Sequence, residues 1–129
     1  MLNFRDIPYL MPEMKNKITL NIDHPNAKRM EFFLNAVEED LIEIPFEWKK
    51  WKLSDRMSGG CKFISKDKSL TITVLFCDSY HDANEIAAAN DLPYLPKAKW
   101  SLNGNLLYLV ESDDEGKVRE VLGLFAGEE

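Results

Sequence analysis

The chain has 129 residues, 45% of them hydrophobic and 29% charged, and a net charge of −6. That length suits one domain whose core needs no staple, and the composition excludes disorder along the whole chain. The acidic balance disfavours nucleic acid and anionic membranes, no apolar run approaches the ~20 residues of a membrane span, and two cysteines, Cys61 and Cys77, without C-x-x-C spacing exclude a zinc knuckle or a disulfide framework.

Residues 1–14, "MLNFRDIPYLMPEM", read as an N-terminal arm or an upstream extension with Met14 as the natural start; residues 15–129 read as a single domain. The segment holds Leu2, Phe4, Ile7, Tyr9, Leu10 and Met11, but Pro8 and Pro12 prevent a regular helix. It lacks the basic start and continuous apolar stretch of a secretory signal, so a reducing cytoplasm is the expected location.

"KITLNID" alternates Ile18, Leu20 and Ile22 with polar residues, the period of a half-buried strand. Pro25 suits a first helical position, with Asp23 or His24 as cap. Ala27, Met30, Leu34, Val37 and Leu41 then form an apolar helical stripe, widened by Phe33 and Ile44, and Pro45 ends the helix or begins the next strand. Phe32 falls off the stripe's centre and is expected to be partly exposed.

"FEWKKWKL" reads as a strand with a break, since Phe46 and Trp48 share one face while Trp51 and Leu53 share the other. "CKFIS" and "SLTITVLF" make a hairpin whose loop must hold an even number of residues if Cys61 and Phe63 are to join Ile72 and Val74. That register puts Cys77 on the reverse face, too far from Cys61 for a bridge. "HDANEIAAANDL" reads as a short helix. "KWSLNGNLLYLV" reads as a hairpin turning at Asn103-Gly104. Ser112 and Glu115 make a capping box for a last helix with Val118, Val121, Leu122 and Phe125 on one face and Gly127 near its stop. The expected fold is α+β, a mainly antiparallel sheet with three helices packed against it in the order β-α-β-β-β-α-β-β-α.

Chemistry-bearing side chains concentrate in "CDSYHDANE". His81 and Glu85 stand one helical turn apart, and Asp78 at the strand end could reach the same space as a metal site. Cys77, before a helix N-terminus, could be a stabilised thiolate. His24 and Asp23, at the other strand-to-helix junction, would join Asp78 and His81 if the two junctions shared a rim. The simpler reading makes the cluster a helix start: Ser79 caps, Asp82 complements the dipole, and His81–Glu85 is a surface pair.

"WKKWK" could stack bases, but its lysines more simply guard an exposed strand edge. No G-x-x-x-x-G-K-[ST], G-x-S-x-G or H-E-x-x-H is present, and two histidines leave little material for acid–base catalysis. The aromatic surplus, notably Trp48, Trp51, Phe32 and Tyr9, points to an interface. The expectation is a small non-catalytic binding or self-associating domain, a homodimer or the partner of another protein, with no cofactor, no membrane and no nucleic acid. The alternative is a metal- or thiol-dependent enzyme built on Cys77, Asp78, His81 and Glu85, with His24 contributing.

Overall fold

The computed structural model describes residues 17–20 and 22–126. It contains helices α1 (Ala27–Ala36), α2 (Tyr80–Ala89) and α3 (Glu115–Ala126) and strands β1 (Leu41–Ile44), β2 (Met57–Ser65), β3 (Thr71–Cys77), β4 (Ala98–Asn103) and β5 (Leu106–Glu111). From the first helix onward this is the expected order. The strands form one antiparallel sheet, β1-β2-β3-β5-β4.

Alternation along β2, β3 and β5 sorts the core into two layers. Cys61, Phe63, Ile72, Val74, Phe76, Tyr108 and Val110 face α1 and α3, meeting Met30, Leu34, Val118, Val121 and Phe125. Leu75, Cys77, Leu107 and Leu109 point the other way, onto Ala83, Ile86 and Ala87 of α2. Helices therefore cover both faces of the sheet. Each fully buried residue such as Leu34 or Ile72 contributes about 1.5–3 kcal/mol of burial.

The β2–β3 hairpin has the expected parity. Ser65 pairs with Leu70 across four loop residues, Cys61 opposes Val74, and Phe63 opposes Ile72. The loop is built by its own side chains: the Ser65 hydroxyl accepts from the Ser69 and Leu70 amides (both 3.1 Å) and donates to Asp67 (2.8 Å). Both cysteines are buried and unbridged.

Five expectations need correction. The first helix stops at Ala36, not at Ile44; Val37 turns extended, and Leu41–Ile44 forms β1 on the edge of the sheet. Val37 and Leu41 are buried as their spacing demanded, because a turn and an edge strand can deliver the same residues to the core that a longer helix would. Residues 46–53 are not a broken strand. Two single-turn 3₁₀ segments, Trp48–Lys50 and Ser54–Arg56, fold the chain back over the sheet and bring Phe46, Trp48, Trp51 and Leu53 onto one layer.

The β4–β5 turn is centred one residue later than expected. Asn103 pairs with Leu106, so Gly104 and Asn105 make the turn, with positive φ at Gly104 (63°) alone, the sign pattern of a type II′ turn. The cap of α3 is Asp114, not Ser112: its carboxylate accepts from the Gly116 and Lys117 amides at 3.0 and 3.2 Å.

Lys17–Leu20, read from the sequence as part of a strand, belongs to no strand and is pinned to α1. The Ile18 amide donates to Asn35 Oδ1 (2.8 Å) and the Leu20 amide to Glu31 Oε2 (2.9 Å). Asn21, in the first expected strand, lies outside the described residues, as do the arm at 1–14, Tyr9 and Gly127.

Candidate functional site

The "CDSYHDANE" cluster begins a helix. Ser79 sits in extended geometry and its hydroxyl accepts from the Asp82 amide at 3.0 Å, the cap of α2. Asp82 and Glu85 both turn to Arg56 from the preceding 3₁₀ turn; Asp82 is 3.5 Å away and Glu85 is hydrogen-bonded to the guanidinium. That bond with Glu85 is the main cause of the raised Arg56 pKa. The sequence reading had no role for Arg56, because its charge partners lie some thirty residues ahead and only the fold closes the gap.

His81 pairs with Glu85 one turn along (3.4 Å), with 77% of its side chain exposed. Asp78 is exposed and accepts from the Ser58 hydroxyl at 3.2 Å. Cys77 is fully buried beneath α2, and burial, reinforced by Asp78 and Asp82, pushes its thiol up to about 12. A helix N-terminus cannot hold a thiolate there against two flanking carboxylates and a dry environment. Cys61 is likewise pushed to about 12 by burial.

The two strand-to-helix junctions do adjoin. His24 Nδ1 accepts from the Asn26 amide (3.0 Å), which leaves Nε2 to donate to the Cys77 carbonyl (3.3 Å). The ring also tilts against Phe76, with centroids 5.1 Å apart. His24 thus reaches the backbone of the second junction, and both ring nitrogens are occupied in doing so. Its ring closes a turn ahead of α1. Among the described residues no group of three His, Cys, Asp or Glu side chains is placed to hold a metal ion.

The expected interface residues divide. Trp48 and Trp51 are half-buried on the α2 side of the sheet, Trp51 edge-on to Phe46 at 5.9 Å. Gly60 makes room for Trp48 and Phe46: a Cβ there would stand 2.9 Å from Trp48 Cβ and 3.0 Å from Phe46 Cε2. Lys49 lies over the Trp48 ring and Lys50 pairs with Glu47. Phe32 is 70% exposed on α1.

A surface the sequence reading missed lies on the α2 side. Ladder register puts Ile42 and Ile44 of β1, Lys62 and Ile64 of β2, Thr71 and Thr73 of β3 and Glu111 of β5 on that face. Helix α2, Leu92 and the aromatic turns cover the part around Leu75, Cys77, Leu107 and Leu109, and Thr73 is buried as well. Past Trp51 the face opens into a groove of about 330 Å³ between Trp51, Lys62, Thr73, Asn90, Leu95 and Glu111. Ile42 is 43% exposed and Leu95 37%, Ile44 and Ile64 are half-buried, and the three isoleucines belong to neither core layer. The signal was present in "LIEI", but its Leu41 and Ile44 also fitted the helical stripe.

Comparison with protein-family models, curated proteins and solved structures returns no match to this chain.

Proposed function

We propose that this chain is a small binding domain without catalysis that associates with itself, as a homodimer, in the cytoplasm. One observation carries the reading: the α2 side of the sheet is covered over only part of its length, leaving Ile42, Ile44, Ile64 and Leu95 at the surface. Contiguous apolar surface on a folded domain marks an interaction site. The groove beside it mixes Trp51 with Lys62 and Glu111, a polar rim around an apolar centre.

The side chains that an enzyme would use support the same reading. The Cys77 thiol is buried and protonated, His24 is spent on backbone contacts, and Asp82 and Glu85 are spent on Arg56. Two free, buried thiols suit a reducing compartment.

Sedimentation velocity over a range of protein concentrations tests the proposal. A rise from monomer towards dimer is expected. A species that stays monomeric at the highest soluble concentration ends the self-association reading. A stoichiometric transition metal in the purified protein, lost in His81→Ala, would instead establish the metal-enzyme alternative.

A further inference from the structure

We propose that Asn103 is a self-modification site held shut by a clamp between α1 and α3: its side-chain amide is lost by deamidation when the clamp opens, and the loss prevents the clamp from closing again. Deamidation here does not depend on self-association. Asn103 is the one asparagine of the sequence that is followed by glycine. Glycine has no Cβ to obstruct the approach of its own backbone nitrogen to the preceding side chain. Gly104 is also exposed, in the β4–β5 turn, where a Cβ would meet nothing within 4 Å, so water reaches the position freely.

Water is the only co-reactant. The Gly104 backbone nitrogen attacks Asn103 Cγ and gives up its proton, the Cγ–Nδ2 bond breaks, and ammonia leaves carrying that proton. A succinimide ring remains. Water then adds to either of its carbonyl carbons and the ring C–N bond at that carbon opens. Opening at Cγ leaves an aspartate; opening at the main-chain carbonyl leaves an isoaspartate, whose chain runs on through Cγ. Nothing is oxidised or reduced.

The fold resists the first step. Asn103 ends β4 and pairs with Leu106, which holds its backbone extended, whereas ring closure requires Cγ to swing onto the Gly104 nitrogen. Both polar atoms of the side chain are engaged elsewhere. Nδ2 donates to the Phe125 carbonyl in the last turn of α3 at 2.5 Å, and Oδ1 accepts from the Arg29 guanidinium in the first turn of α1. Turning the amide towards Gly104 breaks both bonds at once. The guard is therefore as strong as the docking of the end of α3, and it yields by local opening without global unfolding.

The same bonds make the change one-way. A carboxylate at this position has no N–H for the Phe125 carbonyl and sets one acceptor against another. Isoaspartate also adds a methylene to the main chain ahead of the Gly104-Asn105 turn, which the pairing of Asn103 with Leu106 cannot absorb.

Peptide mapping by mass spectrometry of the full-length chain, aged at mildly alkaline pH, tests the proposal. Asn103 in the native chain is expected to deamidate about tenfold or more slowly than in the same chain held in urea, a ratio set by how rarely the clamp opens. Arg29 is exposed, and Arg29→Ala is expected to deamidate faster than the native chain while its circular dichroism is unchanged. Asn103→Asp is expected to speed hydrogen exchange in the last turn of α3 and to leave α2 as it was. Native deamidation as fast as in urea overturns the guard without recourse to any variant. A folded Arg29→Ala that deamidates no faster than the native chain overturns it too, and a slower rate would show the guanidinium promoting the attack. Unchanged exchange in α3 of Asn103→Asp overturns the one-way step.

Discussion

Gly60 is where one atom decides the shape of a layer. The Trp48 Cβ and the Phe46 ring close over it with no space for a methyl group, since Leu75 Cδ2 also stands 3.0 Å from where a Cβ would be. Gly60→Ala is expected to cost about 1–3 kcal/mol through overpacking, measured by urea denaturation, with a changed near-ultraviolet signal from the displaced indole. Asp67 is a second single-residue device. Its carboxylate is hydrogen-bonded by the Ser69 hydroxyl, the Ser69 amide and the Ser65 hydroxyl, which hold its pKa at about 2 instead of 3.8. A depressed carboxylate stabilises the fold above its ordinary value, and that contribution fades as pH falls towards the folded value. Stability should therefore drop less steeply between pH 3.8 and about 2 in Asp67→Asn than in the native chain, as read from denaturant midpoints across that interval. At the two cysteines, burial predicts that a thiol reagent at mildly alkaline pH reacts with neither until denaturant is added. Rapid labelling of native Cys77 would contradict its placement beneath α2.

Among the elements, the three helices start in three ways. Ser79 caps α2, Asp114 caps α3, and α1 begins after a turn closed by His24, with no side-chain cap at Asn26. Asp114→Ala is expected to cost about 1 kcal/mol, since it frees two amides at an N-terminus and removes a favourable charge there; thermal unfolding of that variant beside Ser112→Ala checks which residue is the cap. The far end of α3 is also tied down: the Asn103 amide donates to the Phe125 carbonyl (2.5 Å), while Arg29 of α1 donates to the Asn103 side-chain oxygen. The β4–β5 turn thus locks together the two helices of one face. Lys117 does the same at the other end, pairing with Glu39 (3.2 Å) and donating to Ser69 in the hairpin loop (3.2 Å).

The whole molecule is unequal on its two sides, and that asymmetry governs how mutations should sort. Leu34 of α1 sits fully buried against the sheet, and Leu34→Ala is expected to cost about 2–5 kcal/mol. Ile42 is similarly apolar but lies on the open face, so Ile42→Ser should change stability by only about 0.5 kcal/mol while altering association. Denaturation and sedimentation of the same two variants separate the roles.

Much of this was legible along the chain. Period-two alternation marked β2, β3, β4 and β5 as strands and assigned the faces of β2 and β3, and with them the separation of the two cysteines, because each strand's neighbours in sequence set its parity. The Ser79 cap and the start of α2 were likewise local. Tertiary structure alone decided the rest. Leu41 and Ile44 satisfied helical spacing and strand alternation equally, and only the open edge of β2 resolved them into β1. Phe46, Trp48 and Trp51 fitted a bulged strand, but the chain takes two 3₁₀ turns, with Phe46 and Trp48 of the first settled on Gly60. Arg56 met Asp82 and Glu85, and Ile42 was left uncovered, through placement on the finished sheet. Periodicity records which residues need burial; what buries them, and what stays bare, depends on elements distant in sequence.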